Sequence, residues 1–236
     1  NNYAHLGLLQ DAKKYTNLYL EKAPDGDLRE EAEDLLLILD IDDDVDDWAL
    51  DAEDDLLMLQ ESIFYHLERR QWKEAIPLLE EMMVEFPDYI AAKHEYNFAL
   101  FFAGEKERAI KLEQALLKEN PDSLYGHNNL AIFYYERKDI KNYQKYIKAI
   151  ENVYPIHEQQ KLRVANTLAR TGNYQQAYHR FQVLNKQKLK GHLSYYKWFS
   201  ITAYHVGKQD EAILLWDEGS NHHPLIKQTD YPWLHE

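Results

Sequence analysis

GEKERAIKLEQALLKENP, residues Gly104–Pro121, carries three landmarks: Gly104, Ala109 and Pro121. Steps of 34 residues reproduce them along the chain, taking Ala109 to Ala75, Tyr143 and Ala177, and Pro121 to Pro87 and Pro155. One further step of 35 reaches Ala212, and Pro224 follows it by the same twelve residues. Gly172 and Gly207 stand five residues before Ala177 and Ala212, as Gly104 stands before Ala109. A fixed period of this length means stacked copies of one supersecondary unit.

Five units read from this beat, starting near Leu56, Ile90, Leu124, Glu158 and Leu193. Each gives a helix, a short turn, a second helix and a breaker. In the first, Leu56, Leu59, Ile63, Phe64 and Leu67 share one helical face, and Trp72, Ala75, Ile76, Leu79, Met82 and Met83 share another. The glycines suit a C-cap at positive φ, and Pro-Asp at 87–88 and 121–122 closes one helix while offering an N-cap to the next.

With these residues the chain resembles the tetratricopeptide repeat family over about residues 56–226. Small first-helix residues (Ala131, Ala165, Ser200), second-helix alanines and closing prolines carry the likeness. Tyr143 in place of alanine, Leu189 in place of proline and Asn97 in place of a small residue depart from it. The fold class implied is all-α, an α-α superhelix of stacked antiparallel helix pairs forming one continuous solenoid.

Residues 1–24 read as a partial repeat, mainly its second helix, because Gly7, Ala12 and Pro24 keep the intervals of Gly104, Ala109 and Pro121. With no initiator Met, the expectation is a fragment of a longer array with open stacking surfaces at both ends. Residues 25–55 break the beat and read as an acidic degenerate repeat or spacer; residues 227–236 read as a C-terminal tail.

Charge is unevenly placed. Residues 25–61 hold 17 Asp and Glu against Arg29, whereas 137–208 hold 14 Lys and Arg against three acids. The net −14 therefore hides an acidic end and a basic half. The longest apolar run, Phe98–Ala103, is six residues, far short of a membrane span. No cysteine is present, which excludes disulfides, thiol nucleophiles and thiolate metal sites. The N-terminus has no leader pattern, and the expected location is the cytoplasm.

Asp40, Asp42, Asp44 and Asp46 loosely echo a calcium loop, but Val45 stands where that loop needs glycine, so the run reads as a solvated acidic loop. Asp42-Asp43-x-x-Asp46 also resembles the magnesium motif of prenyl-transferring enzymes, without the second acidic motif they need. The eleven histidines form no His-Glu-x-x-His, and no phosphate loop or nucleophile elbow occurs. The expectation is no catalysis, no metal and no cofactor.

The resemblance implies that first helices line a concave face and that one stripe contacts a partner. In this sequence the stripe gives Phe64; His94, Phe98 and Phe102; Tyr125, Asn128 and Tyr135; Asn166 and Arg170; Lys197 and Tyr204, with Phe101 and Ile132 as core. The carboxylate clamp of some family members is missing: its places hold Gln60 with Phe64, His94 with Phe98, and Asn128 with Ile132. The leading reading is a non-catalytic scaffold binding a protein or peptide, an acidic or apolar segment, in an aromatic groove. A second is head-to-tail self-assembly of acidic and basic ends. Nucleic-acid binding through the basic half ranks behind both, because the acidic segment repels phosphate. No membrane contact is expected.

Overall fold

The computed structural model describes residues 16, 18–22, 26, 28–29, 32–33, 47–223 and 230–234. The expected aspartate loop at 40–46 lies outside the described residues. All regular structure among the described residues is helical. Two compact units are present, residues 1–60 and 61–236. In the first, residues 18–22 are helical, the Leu28 amide donates to the Tyr19 hydroxyl (3.2 Å), and Arg29 pairs with Glu33 (2.8 Å).

The first repeat's helix begins in the first unit, and the remaining repeats lie in the second. Helix α1 (Asp47–Glu68) is followed by α2 (Trp72–Glu85), α3 (Ile90–Ala103), α4 (Lys106–Glu119), α5 (Leu124–Glu136) and α6 (Ile140–Ile150). Next come α7 (Glu158–Arg170), α8 (Tyr174–Gln182), the short α9 (Lys186–Leu189), α10 (Leu193–His205) and α11 (Gln209–His222). From α3 onward the first helices begin at Ile90, Leu124, Glu158 and Leu193, where the beat places them. Each pairs with the helix after it and packs on the first helix of the next repeat.

The period survives because the crossing points are sterically small. Ala75, Ala109, Ala131, Ala165, Ala177, Ser200 and Ala212 are all fully buried, so the backbones of paired helices approach closely there. Larger side chains fill the flanks: Phe101 stacks on Phe133 at 4.2 Å, and Phe181 on Phe199 at 4.9 Å. Tyr143, in the place of an alanine, is only half-buried and leaves the crossing point. Its hydroxyl accepts from Asn173 Nδ2 at 2.6 Å, in the turn of the next repeat. Leu189, in the place of a proline, is fully buried in α9, the short helix that absorbs the 35-residue step.

The turn inside each repeat is also periodic, and more strictly than the sequence. Arg70, Gly104, Lys138, Gly172 and Gly207 all have positive φ (57°, 111°, 59°, 75° and 83°). These positions keep the beat, yet two are not glycine. A side chain in this region costs about 1–2 kcal/mol, partly offset by glycine's larger entropy loss. Lys138 is exposed, so Lys138→Gly is expected to stabilise the chain by about 0.5–1 kcal/mol, measured by urea unfolding.

A turn of 3-10 helix at Pro232–Leu234 buries Trp233, whose ring stacks on Tyr204 at 5.3 Å and on Tyr231 at 4.8 Å. This apolar stretch packs against the last turn of α10.

Candidate functional site: the concave cavity

Five first helices turn one face toward a common cavity of about 260 Å³. Phe64, Leu67 and Glu68 come from α1, Glu95 and Phe98 from α3, and Tyr125, Asn128 and Ile132 from α5. Arg163, Asn166 and Arg170 come from α7, and Ser194, Lys197 and Trp198 from α10. Arg70, Trp72, Tyr89 and His192, at the turns and helix starts, complete the rim.

Seven of the eleven residues expected from the sequence line this cavity: Phe64, Phe98, Tyr125, Asn128, Asn166, Arg170 and Lys197. Phe102 stands just behind, against Trp72 (5.4 Å) and Phe98 (4.9 Å). The other three lie elsewhere. His94 is buried in the core, Tyr135 packs edge-on to Tyr143 (5.3 Å), and Tyr204 lies under Trp233. His94 stands four residues before Phe98, Tyr135 three after Ile132 and Tyr204 seven after Lys197, one or two turns along their helices from cavity residues. Phe101 and Ile132 are buried, though Ile132 also reaches the wall.

Aromatic rings hold the cavity's cations. The Arg163 guanidinium lies 3.9 Å over Tyr125 and pairs with Glu95 at 3.4 Å. That of Arg170 lies 4.6 Å from Phe102, 5.2 Å from Phe98 and 5.4 Å from Trp198, while Lys197 Nζ lies 5.7 Å from the same indole. Rings at these distances favour a positive charge through their quadrupoles and fix its position. Burial pushes the Glu95 carboxyl up, against the pull of Arg163, and burial raises the Tyr89 phenol as well.

A contact invisible to the period closes the ring of helices. Glu68, ending α1, accepts from the Ser194 amide at 2.6 Å and the Ser194 hydroxyl at 2.8 Å. Ser194 lies in the first turn of α10, and the N-cap residue His192 gives no side-chain cap. Glu68 thus supplies the cap from 126 residues away, where a carboxylate also meets the positive end of the helix dipole. Phe64 packs edge-on against His192 (4.9 Å) beside it.

Burial raises the Glu68 carboxyl above its ordinary value, opposed by the Ser194 bonds and by Arg69. A raised carboxyl binds its proton more tightly folded than unfolded, so its contribution is greatest below about pH 4.5 and is lost as pH rises through the folded value. Glu68→Ala is expected to cost about 1.5–3 kcal/mol, the worth of a charge-assisted hydrogen bond. Glu68→Gln keeps an acceptor for the amide, should cost less, and should flatten the decline above about pH 4.5. Urea unfolding across pH 4–8 checks both.

Outside the cavity, Ser123, His94 and Glu113 form a serine–histidine–carboxylate chain. Ser123 Oγ is 3.1 Å from His94 Nε2, and His94 Nδ1 is 2.5 Å from Glu113. Nucleophilic catalysis uses this order, but it needs an open serine. Here Ser123 is buried and its oxygen accepts the Gly126 amide (3.2 Å) as the N-cap of α5. The chain is a core network. Among the described residues, no cluster of His, Asp and Glu is placed to hold a metal ion, and no helix is long and apolar enough to cross a membrane.

Residues 66–131 match the sequence profile of the tetratricopeptide repeat. The TPR repeat-containing protein YvcD of Bacillus subtilis (strain 168) is 32% identical over 234 residues, covering 99% of this chain and 48% of that protein. The chain belongs to the tetratricopeptide repeat family. It spans about half the length of the curated relative it matches. Solved structures of MamA are also similar: one of MamA MSR-1 at 13% identity, covering 72% of this chain and 98% of that one with a TM-score of 0.39. Another, of MamA AMB-1, has 14% identity, 70% and 98% coverage and a TM-score of 0.40. Tetratricopeptide repeats are interaction scaffolds, and this chain is one of that general kind.

Proposed function

We propose that the chain binds a partner protein through its concave face, without chemistry of its own, by taking an apolar or acidic segment at the mouth of the cavity. One observation carries this reading. The first helices and the starts of their partners bring Phe64, Trp72 and Phe98, backed by Phe102, together with Arg163, Arg170 and Lys197 around one opening. Packing of helix pairs does not require cations there, whereas rings and guanidinium groups are the side chains that dominate binding interfaces. The cations favour an acidic segment and speed its approach.

Phe64 is 38% exposed and Lys197 is half-buried, so both can be shortened without opening the core. Affinity capture with the double variant Phe64→Ala/Lys197→Ala tests the proposal against the parent chain.

A further inference from the structure

The connection between α6 and α7 puts apolar side chains into water and holds them there. Ile156 is 88% exposed, Tyr154 is 75% exposed, and Val183, just past the end of α8, is 68% exposed. Single exposed apolar residues are ordinary, but these stand on adjoining segments joined by one buried cation. Arg180 of α8 is 9% exposed, and its guanidinium donates to the Val153 and Glu151 carbonyls, at 2.6 Å each. The same group lies 3.6 Å over the Tyr154 ring. A planar fork making two fixed bonds holds the backbone of 151–154 in one place. Pro155 restricts the next step of the chain, and Val183 follows Arg180 by three residues. The loop is braced from the inside, and the brace keeps its apolar side chains out of the core.

Positive charge surrounds this tip. Residues 145–161 and 180–190 hold seven Lys and Arg against Glu151 and Glu158. Glu158 is answered within the chain, since its carboxylate accepts from Lys161 Nζ (2.7 Å) and from the Asn185 amide (2.9 Å). Those bonds, with the charge of Lys188, hold it below its ordinary value. The Asn185 bond also sets the start of α9 beside the loop. Lys148, Lys188 and Lys190 are exposed. The acidic excess of the chain is gathered in residues 25–61, outside both stretches. No residue of 151–157 or 180–190 lines the concave cavity, so the tip is a separate surface.

The size and charge of the tip decide what it meets. A stable protein interface engages about 20–30 residues a side, far more than this tip offers. A lipid surface needs no matching recess: apolar side chains enter the acyl boundary, tyrosine suits the headgroup level, and lysines are drawn to anionic lipid. We propose that the α6–α7 loop, with Val183 and the lysines of α9, is a contact site for an anionic membrane surface. Ile156 and Val183 enter the lipid, Tyr154 lies among the headgroups, and Lys148, Lys188 and Lys190 face the phosphates. The expectation of no membrane contact followed from the shortness of the apolar runs, and a surface contact requires no span.

The test is co-sedimentation of the full 236-residue chain with vesicles of phosphatidylcholine alone and with phosphatidylglycerol added. Binding to the anionic vesicles is expected to be at least tenfold tighter than to the neutral ones. It should fade as salt rises from about 0.1 M to about 1 M, which shortens the Debye length from about 10 Å to about 3 Å. Ile156→Ser/Val183→Ser and Lys148→Gln/Lys188→Gln should each weaken it at least tenfold. All four side chains are exposed, and far-UV circular dichroism confirms that both variants keep the fold. Absence of binding to anionic vesicles overturns the proposal, and so does a loss in only one of the two folded variants. A dimer seen by light scattering and abolished by Ile156→Ser/Val183→Ser would mean that a second copy covers the tip, and overturns it as well. The concave variant Phe64→Ala/Lys197→Ala should bind vesicles as the parent does, so either reading can fail without the other.

Discussion

Glu113→Ala is expected to cost the fold about 3–5 kcal/mol, enough to consume much of a typical domain's stability. Glu113 is fully buried, and its two oxygens hold His94 Nδ1 (2.5 Å) and Asn97 Nδ2 (2.8 Å). A carboxylate only accepts, so both partners donate to it. Alanine would strand two donors inside the packing of α3 on α4 and leave a cavity besides. It would also release the imidazole that links α3 to the N-cap Ser123 of α5, so three helices loosen together. Glu113→Gln retains one acceptor but points an amide at the other donor, and should cost less, about 1–3 kcal/mol. Urea denaturation with far-UV circular dichroism separates the two variants; an alanine variant as stable as the parent would mean the network contributes nothing net.

Phe64→Ala/Lys197→Ala is expected to weaken partner capture by about 30-fold or more, the loss of at least one interface hot spot at about 2 kcal/mol. Neither side chain is needed by the core. Phe64 meets only the rim ring of His192 among the described aromatic contacts, and Lys197 extends over Trp198. Phe98→Ala is a poorer probe, because Phe98 also packs on Trp72, Phe102 and Phe133, so its loss mixes folding with binding. Weakening by Lys197→Ala alone should fade as salt rises, since the Debye length is about 8 Å at physiological salt.

The architecture was readable because one crossing geometry repeats: a small residue every 34 positions lets two helices approach, and that constraint is visible in single letters. The stripe facing the cavity followed from the same geometry. It failed at His94, Tyr135 and Tyr204, which keep the stripe's spacing but stand one or two turns along their helices from the residues that line the cavity. His94 was drawn into the core by a coordinated exchange. At the periodic place of Glu113 the other repeats put Leu79, Ile147, Phe181 and Trp216, and at that of Asn97 they put Ile63, Ala131, Ala165 and Ser200. Two polar residues replacing two apolar ones in the same repeat signal a buried bond, and the Asn97–Glu113 pair makes it. The αL turns at Arg70 and Lys138 left no such trace, because the conformation is imposed by the flanking helices and not by the residue. Glu68 and Ser194 are 126 residues apart, and no local pattern links a carboxylate to a helix start at that range.

Capture compared across two faces tests the central claim most directly. The parent chain, the concave variant Phe64→Ala/Lys197→Ala and a convex variant Val84→Ser/Leu214→Ser are immobilised and challenged with the same cell extract. Val84 and Leu214 lie on second helices and are 74% and 69% exposed. Partners retained by the parent and the convex variant but lost from the concave one are expected. Partners lost from the convex variant and kept by the concave one would contradict a concave binding face.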